Sequence, residues 1–273
     1  MTMIVPEDLK QIQRTMWSLG DYSKVADLLQ PGAADLVARL DIRRGHRHLD
    51  VATGNGNVAL LSGRAGADVI GLDLTDAYFP EARDRARRAG LAIDFIEADA
   101  EALPFPDASF DVVTSTYGVQ CAPRHERSAG EMVRGCKAGG VIGLCNWTPR
   151  SWTAHFQDIL ASYFPPPPSY TAPAMMWGDE DYMRALLGPG FRMETRRMTL
   201  IYPFPSAEQM IAFFESSFGP CLAARRTISP RSRWTELRSE LVEMTEHFHQ
   251  TDERGSRVEV EYLRVVARKT VLQ

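Results

Sequence analysis

A glycine-rich turn between a strand pattern and a helix pattern constrains this chain most. Residues 48–60 read HLDVATGNGNVAL: an apolar run of strand character, the two glycines Gly54 and Gly56, and then a helical pattern. Glycine has no Cβ, so the backbone can bend sharply there and approach a ligand closely. The N–H groups that open the next helix lack intrahelical partners and point at whatever occupies the turn. This stretch therefore predicts a strand–turn–helix unit with a ligand at the turn.

A second apolar strand pattern, VIGLDLT at 69–75, carries an acid near its end. A carboxylate at the position of Asp73 can accept hydrogen bonds from both hydroxyls of a ribose. The two stretches together predict a site for an adenosine-containing cofactor. The alternative for Asp73 is a carboxylate that only caps a turn or a helix.

The glycine spacing alone leaves the cofactor open. Gly54-x-Gly56-x-x-Ala59 also fits the fingerprint of dinucleotide-binding proteins, so a nicotinamide-dependent oxidoreductase is an alternative function. Asp50, four residues before Gly54, favours a different cofactor. A carboxylate there repels a pyrophosphate but attracts an ammonium or sulfonium group.

Two later segments follow in a fixed order: EADAEALPFPDASFDVV at 97–113 and EMVRGCKAGGVIGLCNW at 131–147. With the glycine turn and VIGLD, they resemble the class I S-adenosylmethionine-dependent methyltransferases over residues 45–150. The resemblance implies an α/β fold, a doubly wound, mostly parallel, seven-stranded sheet of the Rossmann-like methyltransferase type with an antiparallel last strand. The alternation of strand and helix patterns also indicates a parallel doubly wound sheet.

We expect the chain to have three parts. One of these parts is a helical insert between the last two strands, and its residue pattern predicts two helices. Its aromatic residues, Phe213 and Phe214 among them, repeat at helical spacing, which is typical of packing against the core and also of a lid at the carboxyl edge of the sheet. The expected parts are an N-terminal helical segment over the cofactor site at 1–44, a methyltransferase core at 45–202 and 256–273, and a helical cap insert at 203–255.

The resemblance implies a set of cofactor-binding residues. Trp17 and Tyr22 would lie over the cofactor, or they only anchor the N-terminal segment on the core. Asp99, like Asp73, has a turn or helix cap as its alternative role. The implied set is Tyr22 over the cofactor, Asp50, Ala52, Gly54, Gly56 and Thr116 at the methionine part of S-adenosylmethionine, Asp73 at the ribose, and Leu74, Asp99 and Ala100 at the adenine.

A sulfonium-bound methyl group is electrophilic without help from a metal. The protein must supply in-line placement of the nucleophile, exclusion of water and, for some acceptors, a base. The catalytic candidates are Tyr22, Tyr117 and His155. His125 either contributes to the pocket or lies at the surface at a helix N-terminus. The spacing of the four cysteines matches no zinc or redox motif, so we expect no metal.

Aromatic side chains near the expected pocket indicate an aromatic or otherwise apolar acceptor. The acceptor atom, C, N or O, stays open, and bacterial specialised metabolism is the leading context. The alternatives are a quinone-biosynthesis C-methyltransferase and a cofactor-binding module without catalysis. The expected substrate pocket consists of Trp17, Tyr117, Gln120, Trp147, Trp177, Phe213 and Phe214.

The composition disfavours some partners. The net charge of −4 argues against a nucleic-acid partner, which favours a basic face. No apolar run reaches the length of a membrane span, and the first residues lack the pattern of a secretory signal, so we expect a cytoplasmic protein. The expected partner is a small-molecule substrate, without nucleic acid or membrane, and a homodimer is left open.

Overall fold

An eight-stranded sheet organises the protein, and the computed structural model describes residues 5–271. The strand order is β3-β2-β1-β4-β5-β8-β6, with β7 paired to β8. Strands β1 to β5 are parallel, and β8 is antiparallel to β5, β6 and β7. The strands are β1 Arg47–Val51, β2 Asp68–Asp73, β3 Ile93–Glu97, β4 Phe110–Thr116, β5 Cys136–Trp147, β6 Phe191–Tyr202, β7 His249–Asp252 and β8 Gly255–Lys269.

Helices cover both faces of this sheet. Two short 3₁₀ turns, Val119–Cys121 and Ala174–Gly178, interrupt the connections after β4 and before α7. The helices are α1 Pro6–Trp17, α2 Tyr22–Val37, α3 Asn57–Arg64, α4 Phe79–Arg88, α5 His125–Gly135, α6 Trp152–Ser162, α7 Glu180–Leu187, α8 Ala207–Ser217, α9 Gly219–Thr227 and α10 Arg231–Phe248.

Burial on both faces explains why the central strands are almost continuously apolar. Leu49 and Val51 of β1 and Val112 and Val113 of β4 are fully buried, as expected for parallel strands between two helix layers. The chain order reverses between β1 and β4, and α/β proteins bind ligands at such a point, beyond the carboxyl ends of the strands. The predicted fold class is confirmed.

The insert between β6 and β8 differs from the prediction of two helices. It contains three, α8, α9 and α10, followed by the short strand β7. Phe218 has an extended backbone that ends α8, and Pro220 lies in the first turn of α9, where its missing N–H leaves no hydrogen bond unmade. Pro230 caps α10 in the same extended conformation. Sequence periodicity alone does not reveal these breaks.

The insert packs against the body of the protein. Helix α10 lies on α6 and α8, and the Trp152 indole N–H of α6 donates to Thr245 Oγ1 of α10 at 2.9 Å. The boundaries expected for the three parts stay a prediction, and their first four and last two residues lie outside the described residues. Among the helices within residues 5–271, none is long and apolar enough to cross a bilayer.

Candidate active site

The glycine turn after β1 has an unusual backbone. Ala52, Gly54 and Gly56 all have positive φ, at 55°, 55° and 86°. A non-glycine residue such as Ala52 is strained in this region, and such strain gathers at functional sites. The turn is tied to the neighbouring strand, because the Gly54 N–H donates to Asp73 Oδ2 at 2.8 Å. The turn thus holds the acid at the end of β2 in a fixed position.

Asp73 lies where the sequence predicts a ribose-binding acid. Its Oδ1 accepts a hydrogen bond from the Thr75 N–H at 3.3 Å, in addition to the bond from Gly54. Desolvation by burial raises the pKa of Asp73 to about 6, although these backbone bonds oppose the shift. The carboxylate is therefore mostly ionised at neutral pH and can accept further hydrogen bonds.

Asp50 supports the turn from below. It is 2% exposed, and its two oxygens accept hydrogen bonds from the hydroxyls of Thr53 at 2.6 Å and Thr114 at 2.8 Å. Desolvation by burial raises the pKa of Asp50 to about 6. These bonds join the turn to β4, and Asp50 lies outside the cavity lining, so its contact with the methionine part stays a prediction.

The larger of two adjoining cavities lies above the turn and comprises about 800 Å³ of empty space, part of which is open to solvent. Two further residues of the predicted cofactor set lie outside its lining. Gly56 opens α3, where a Cβ would lie 3.3 Å from the Phe95 ring, and Thr116 ends β4 beyond the cavity wall. The members of the set that do line the cavity are Tyr22, Ala52, Gly54, Asp73, Leu74, Asp99 and Ala100.

A buried lysine pairs with the predicted adenine acid. Lys10 of α1 is 6% exposed, and its Nζ bonds Asp99 Oδ2 and lies 2.8 Å from Glu101 Oε2. Glu101 in turn accepts from the Arg124 backbone N–H and guanidinium, each at 2.7 Å. Lys10 is not recognisable as a site residue from the sequence, because the pair joins residues 89 positions apart and a single lysine in an amphipathic helix gives no signal.

Helix α1 closes the same cavity through polar contacts. Gln13 Nε2 donates to the Cys121 carbonyl at 2.9 Å, and Arg14 Nε donates to the Leu74 carbonyl at 3.1 Å. The Tyr78 hydroxyl donates to the Trp17 carbonyl at 2.8 Å. Helix α1 therefore lies over this cavity, and these bonds hold it there.

The smaller cavity comprises about 500 Å³ of empty space, part of which is open to solvent, and it shares Trp17, Tyr22, Tyr117 and Cys121 with the larger one. Among the described residues, its lining includes no Asp, Glu, Lys, Arg or His. The predicted pocket residues Trp17, Tyr117, Trp147 and Phe214 line this cavity. The rest of its wall consists of Val25, Leu29, Trp152, Thr153, Phe156, Gln157, Tyr202 and Phe218.

Three predicted pocket residues lie elsewhere. Gln120 is buried behind the wall, where its Oε1 accepts the Trp147 N–H at 2.9 Å. Trp177 is fully buried in a different apolar cluster, with its ring 5.6 Å from that of His125. Phe213 packs on Phe204, since neighbouring residues of a helix point to different faces and Phe214 takes the face toward the cavity.

Within residues 5–271, no histidine lines either cavity. The structure does not place the catalytic candidate His155 at either cavity, because helical periodicity turns Thr153 and Gln157 of α6 inward and leaves His155 exposed beside Phe248. His125 is also not the surface residue of the alternative prediction. It is fully buried, with Nδ1 2.9 Å from the Tyr182 hydroxyl, and desolvation by burial lowers its pKa.

The two tyrosine candidates do line the junction of the cavities. Tyr117 has a φ of 60°, and its ring stacks on Trp147 with centroids 4.1 Å apart. Its buried hydroxyl lies against Gly32, where a Cβ would come within 2.1 Å of the oxygen, and has no hydrogen-bond partner among the described residues. Desolvation by burial raises the pKa of Tyr22 and of Tyr117, so both phenols stay protonated at neutral pH.

Comparison with known proteins decides the family. A family model described as a methyltransferase domain matches residues 49–144. The ubiquinone/menaquinone biosynthesis C-methyltransferase of Azotobacter vinelandii is 38% identical over 222 residues, covering 77% of this chain and 85% of that protein. The chain belongs to the class I S-adenosylmethionine-dependent methyltransferases. The resemblance inferred from the motifs is confirmed, and family membership removes the oxidoreductase alternative.

Other relatives widen the comparison. An uncharacterised protein of Mycobacterium tuberculosis is 40% identical over 236 residues, covering 84% of this chain and 86% of that protein. The crystal structure of the YcgJ protein from Bacillus subtilis has a TM-score of 0.59 at 19% identity, covering 89% of this chain and 99% of that chain. At that identity the structural likeness shows the shared fold.

Proposed function

We propose that this methyltransferase transfers the methyl group of S-adenosylmethionine to a C, N or O atom of a small aromatic or apolar metabolite in bacterial specialised metabolism. The observation that carries the proposal is the pair of adjoining cavities with Trp17, Tyr22 and Tyr117 in their common wall. A donor in the larger cavity and an acceptor in the smaller one would meet at this wall, as in-line transfer requires.

The residues of the larger cavity fit S-adenosylmethionine. A Cβ at Gly54 would come 3.3 Å from the Tyr22 ring, so only glycine leaves the turn open there. The ionised Asp73 would accept the ribose hydroxyls, and Asp99 would accept from the adenine amine beside Lys10. The Ala52 carbonyl would accept from the ammonium group of the methionine part. When bound, the cofactor supplies an electrophilic methyl group on its sulfonium.

The wall around the acceptor supports catalysis by placement and exclusion of water. The part of the chain that the structure describes places no histidine or carboxylate in the lining of the smaller cavity, and the phenols of Tyr22 and Tyr117 keep their protons at neutral pH. We therefore assign positioning roles to both tyrosines in place of a general base. An acceptor for this site must carry an atom that is nucleophilic once it is oriented and desolvated.

A quinone-ring C-methyltransferase is the second candidate. The similarity to the Azotobacter vinelandii enzyme supports it, because that protein is a C-methyltransferase of ubiquinone and menaquinone biosynthesis. The rings of Trp147, Trp152 and Phe214 also suit a quinol ring. In either case we propose a small-molecule partner, with no nucleic acid or membrane, in the cytoplasm.

The first test is calorimetric titration with S-adenosylhomocysteine. We expect micromolar binding that Asp73→Ala reduces at least tenfold, because the variant loses the acceptor for the ribose hydroxyls. Asp94→Ala, at a β3 carboxylate outside both cavities, is the matched control and should bind as the native protein does.

Labelled methyl donor then distinguishes the acceptor classes. Methylation of a demethylated quinol supports the second candidate, and methylation of other aromatic acceptors supports the first. Binding of S-adenosylhomocysteine without transfer to any acceptor of either class would favour a cofactor-binding module. Failure of S-adenosylhomocysteine to bind would refute the proposal.

A further inference from the structure

One face of α6 supplies two polar side chains to a chamber lined mainly by aromatic rings. Thr153 and Gln157 are four residues apart, so they lie one above the other on the same side of the helix, and both line the smaller cavity. Trp152 and Phe156 flank them in the same wall. The helix itself is fixed, because Ser151 Oγ caps the Ala154 N–H at 3.3 Å and Trp152 is bonded to α10.

The hydroxyl of Thr153 has no partner among the described residues. The residue is 8% exposed, and its Oγ1 is buried without a hydrogen bond. A threonine inside a helix usually bonds the carbonyl three or four residues earlier, but Thr153 is the second residue of α6 and those carbonyls precede the helix. A buried hydroxyl without a partner is destabilising, so it indicates a bond that a bound molecule completes.

The remaining wall restricts what that molecule can be. Indole, phenyl and phenol rings dominate it, and a flat ring packs well between them. Because the described lining holds no charged side chain, an acceptor with a net charge would lose its hydration without gaining a counter-charge. The chamber therefore selects neutral ring compounds.

We infer that Thr153 and Gln157 anchor a single oxygen substituent, a hydroxyl or a ring carbonyl, of a neutral aromatic acceptor. The inference rests on the proposed function, since it takes the smaller cavity as the acceptor site. A hydroxyl and a primary amide four residues apart can each donate to one oxygen, or Gln157 Oε1 can accept from a hydroxyl. This contact turns one edge of the ring toward α6 and the opposite edge toward the shared wall of Tyr22 and Tyr117.

Three naphthalene derivatives test the anchor by calorimetry on the native protein saturated with S-adenosylhomocysteine. They are 2-naphthol, its isostere 2-methylnaphthalene and the anion 2-naphthoate. We expect 2-naphthol to bind at least about fivefold more tightly than 2-methylnaphthalene, which corresponds to one hydrogen bond, and 2-naphthoate to bind more weakly than both. Equal affinity for the two neutral compounds, absence of binding by both, or tighter binding of the anion would overturn the inference.

Thr153→Val supplies the matched variant, because valine keeps the shape and removes only the hydroxyl. We expect this variant to bind 2-naphthol about fivefold more weakly than the native protein does. Its affinity for 2-methylnaphthalene and its unfolding midpoint should not decrease. Gln157→Leu should act in the same direction, and Thr235→Val, at an exposed threonine of α10, should change neither affinity. A lower unfolding midpoint together with an equal loss of affinity for 2-naphthol and 2-methylnaphthalene would show that Thr153 has only a structural role.

Binding of S-adenosylhomocysteine separates this inference from the proposed function. Normal S-adenosylhomocysteine binding together with a failed naphthol series refutes the anchor and leaves the methyltransferase site in place. Loss of S-adenosylhomocysteine binding in the native protein refutes the proposed function instead.

Discussion

A single carboxylate links the glycine turn to the cofactor proposed above. Asp73 Oδ2 accepts the Gly54 N–H at 2.8 Å, so the turn and the end of β2 move together. Its pKa of about 6 lies close to neutral pH because burial disfavours the charge. Protonation would leave one oxygen as a donor, and the ribose hydroxyls would then lose an acceptor.

We expect the affinity for S-adenosylhomocysteine to fall as the pH drops through about 6, because the free site protonates Asp73 in that range. The effect should approach tenfold for each pH unit well below this value. Titrations between pH 5 and pH 8 measure it, and Asp73→Asn should bind weakly with a flatter profile. An equally steep profile in that variant would assign the titration to another group.

The same shift predicts a stability effect in the protein without ligand. Since the folded-state pKa of Asp73 is raised from 3.8 to about 6, the folded protein binds more protons than the unfolded chain between these values. Its contribution to the unfolding free energy therefore decreases as the pH rises through this window. In Asp73→Asn the unfolding free energy should therefore fall less between pH 4.5 and pH 7 than in the native protein, as measured by urea unfolding. A decrease as large as in the native protein would contradict the assignment.

Among the secondary-structure elements, helix α1 has the clearest connection to the larger cavity. It contributes Lys10 and Gln13 to the larger cavity and reaches the loops after β2, β3 and β4 through hydrogen bonds. A small ligand enclosed by these residues can leave only if α1 moves or the ligand passes its edge. We expect the ion pairs of Lys10 with the partly exposed Asp99 and the buried Glu101 to contribute to this closure.

Lys10→Met should weaken S-adenosylhomocysteine binding on the order of tenfold, mostly through faster release, since Asp99 and Glu101 lose their buried cation. Stopped-flow displacement measures the release rate. Lys24→Met is the matched control, because Lys24 is exposed and pairs with the nearby, exposed Asp21. An unchanged release rate in Lys10→Met would show that the pair has no role in closure.

The elements differ in how far the sequence predicts them. Strands β1, β2 and β4 were predictable because burial on both faces demands apolar runs, and the acids Asp73 and Asp99 mark where such runs end. The pairing of Lys10 with Asp99 was not predictable, since it depends on how α1 docks against the rest of the protein. Periodicity likewise could not decide which of Phe213 and Phe214 faces the cavity, because the docking of α8 decides it.

At the scale of the whole molecule, the two cavities have different structural supports. The larger one depends on the turn and strand ends of the sheet, whereas the smaller one depends on α6 and α8, which α10 holds from behind. Leu237 of α10 is fully buried in the apolar cluster that includes Trp152 and Phe214, and it lines neither cavity. A destabilising substitution of Leu237 should therefore affect the smaller, acceptor cavity more than the larger, cofactor cavity.

We expect Leu237→Ala to lower the unfolding free energy by about 2–5 kcal/mol, as large-to-small changes in a core do. S-adenosylhomocysteine at a hundredfold excess over its Kd should still stabilise the variant by about 2.7 kcal/mol, the same increment as in the native protein. The two effects should add because Leu237 does not itself line the cofactor cavity. Urea unfolding with and without S-adenosylhomocysteine measures both, and loss of the ligand increment in the variant would show that α10 and the cofactor cavity are coupled.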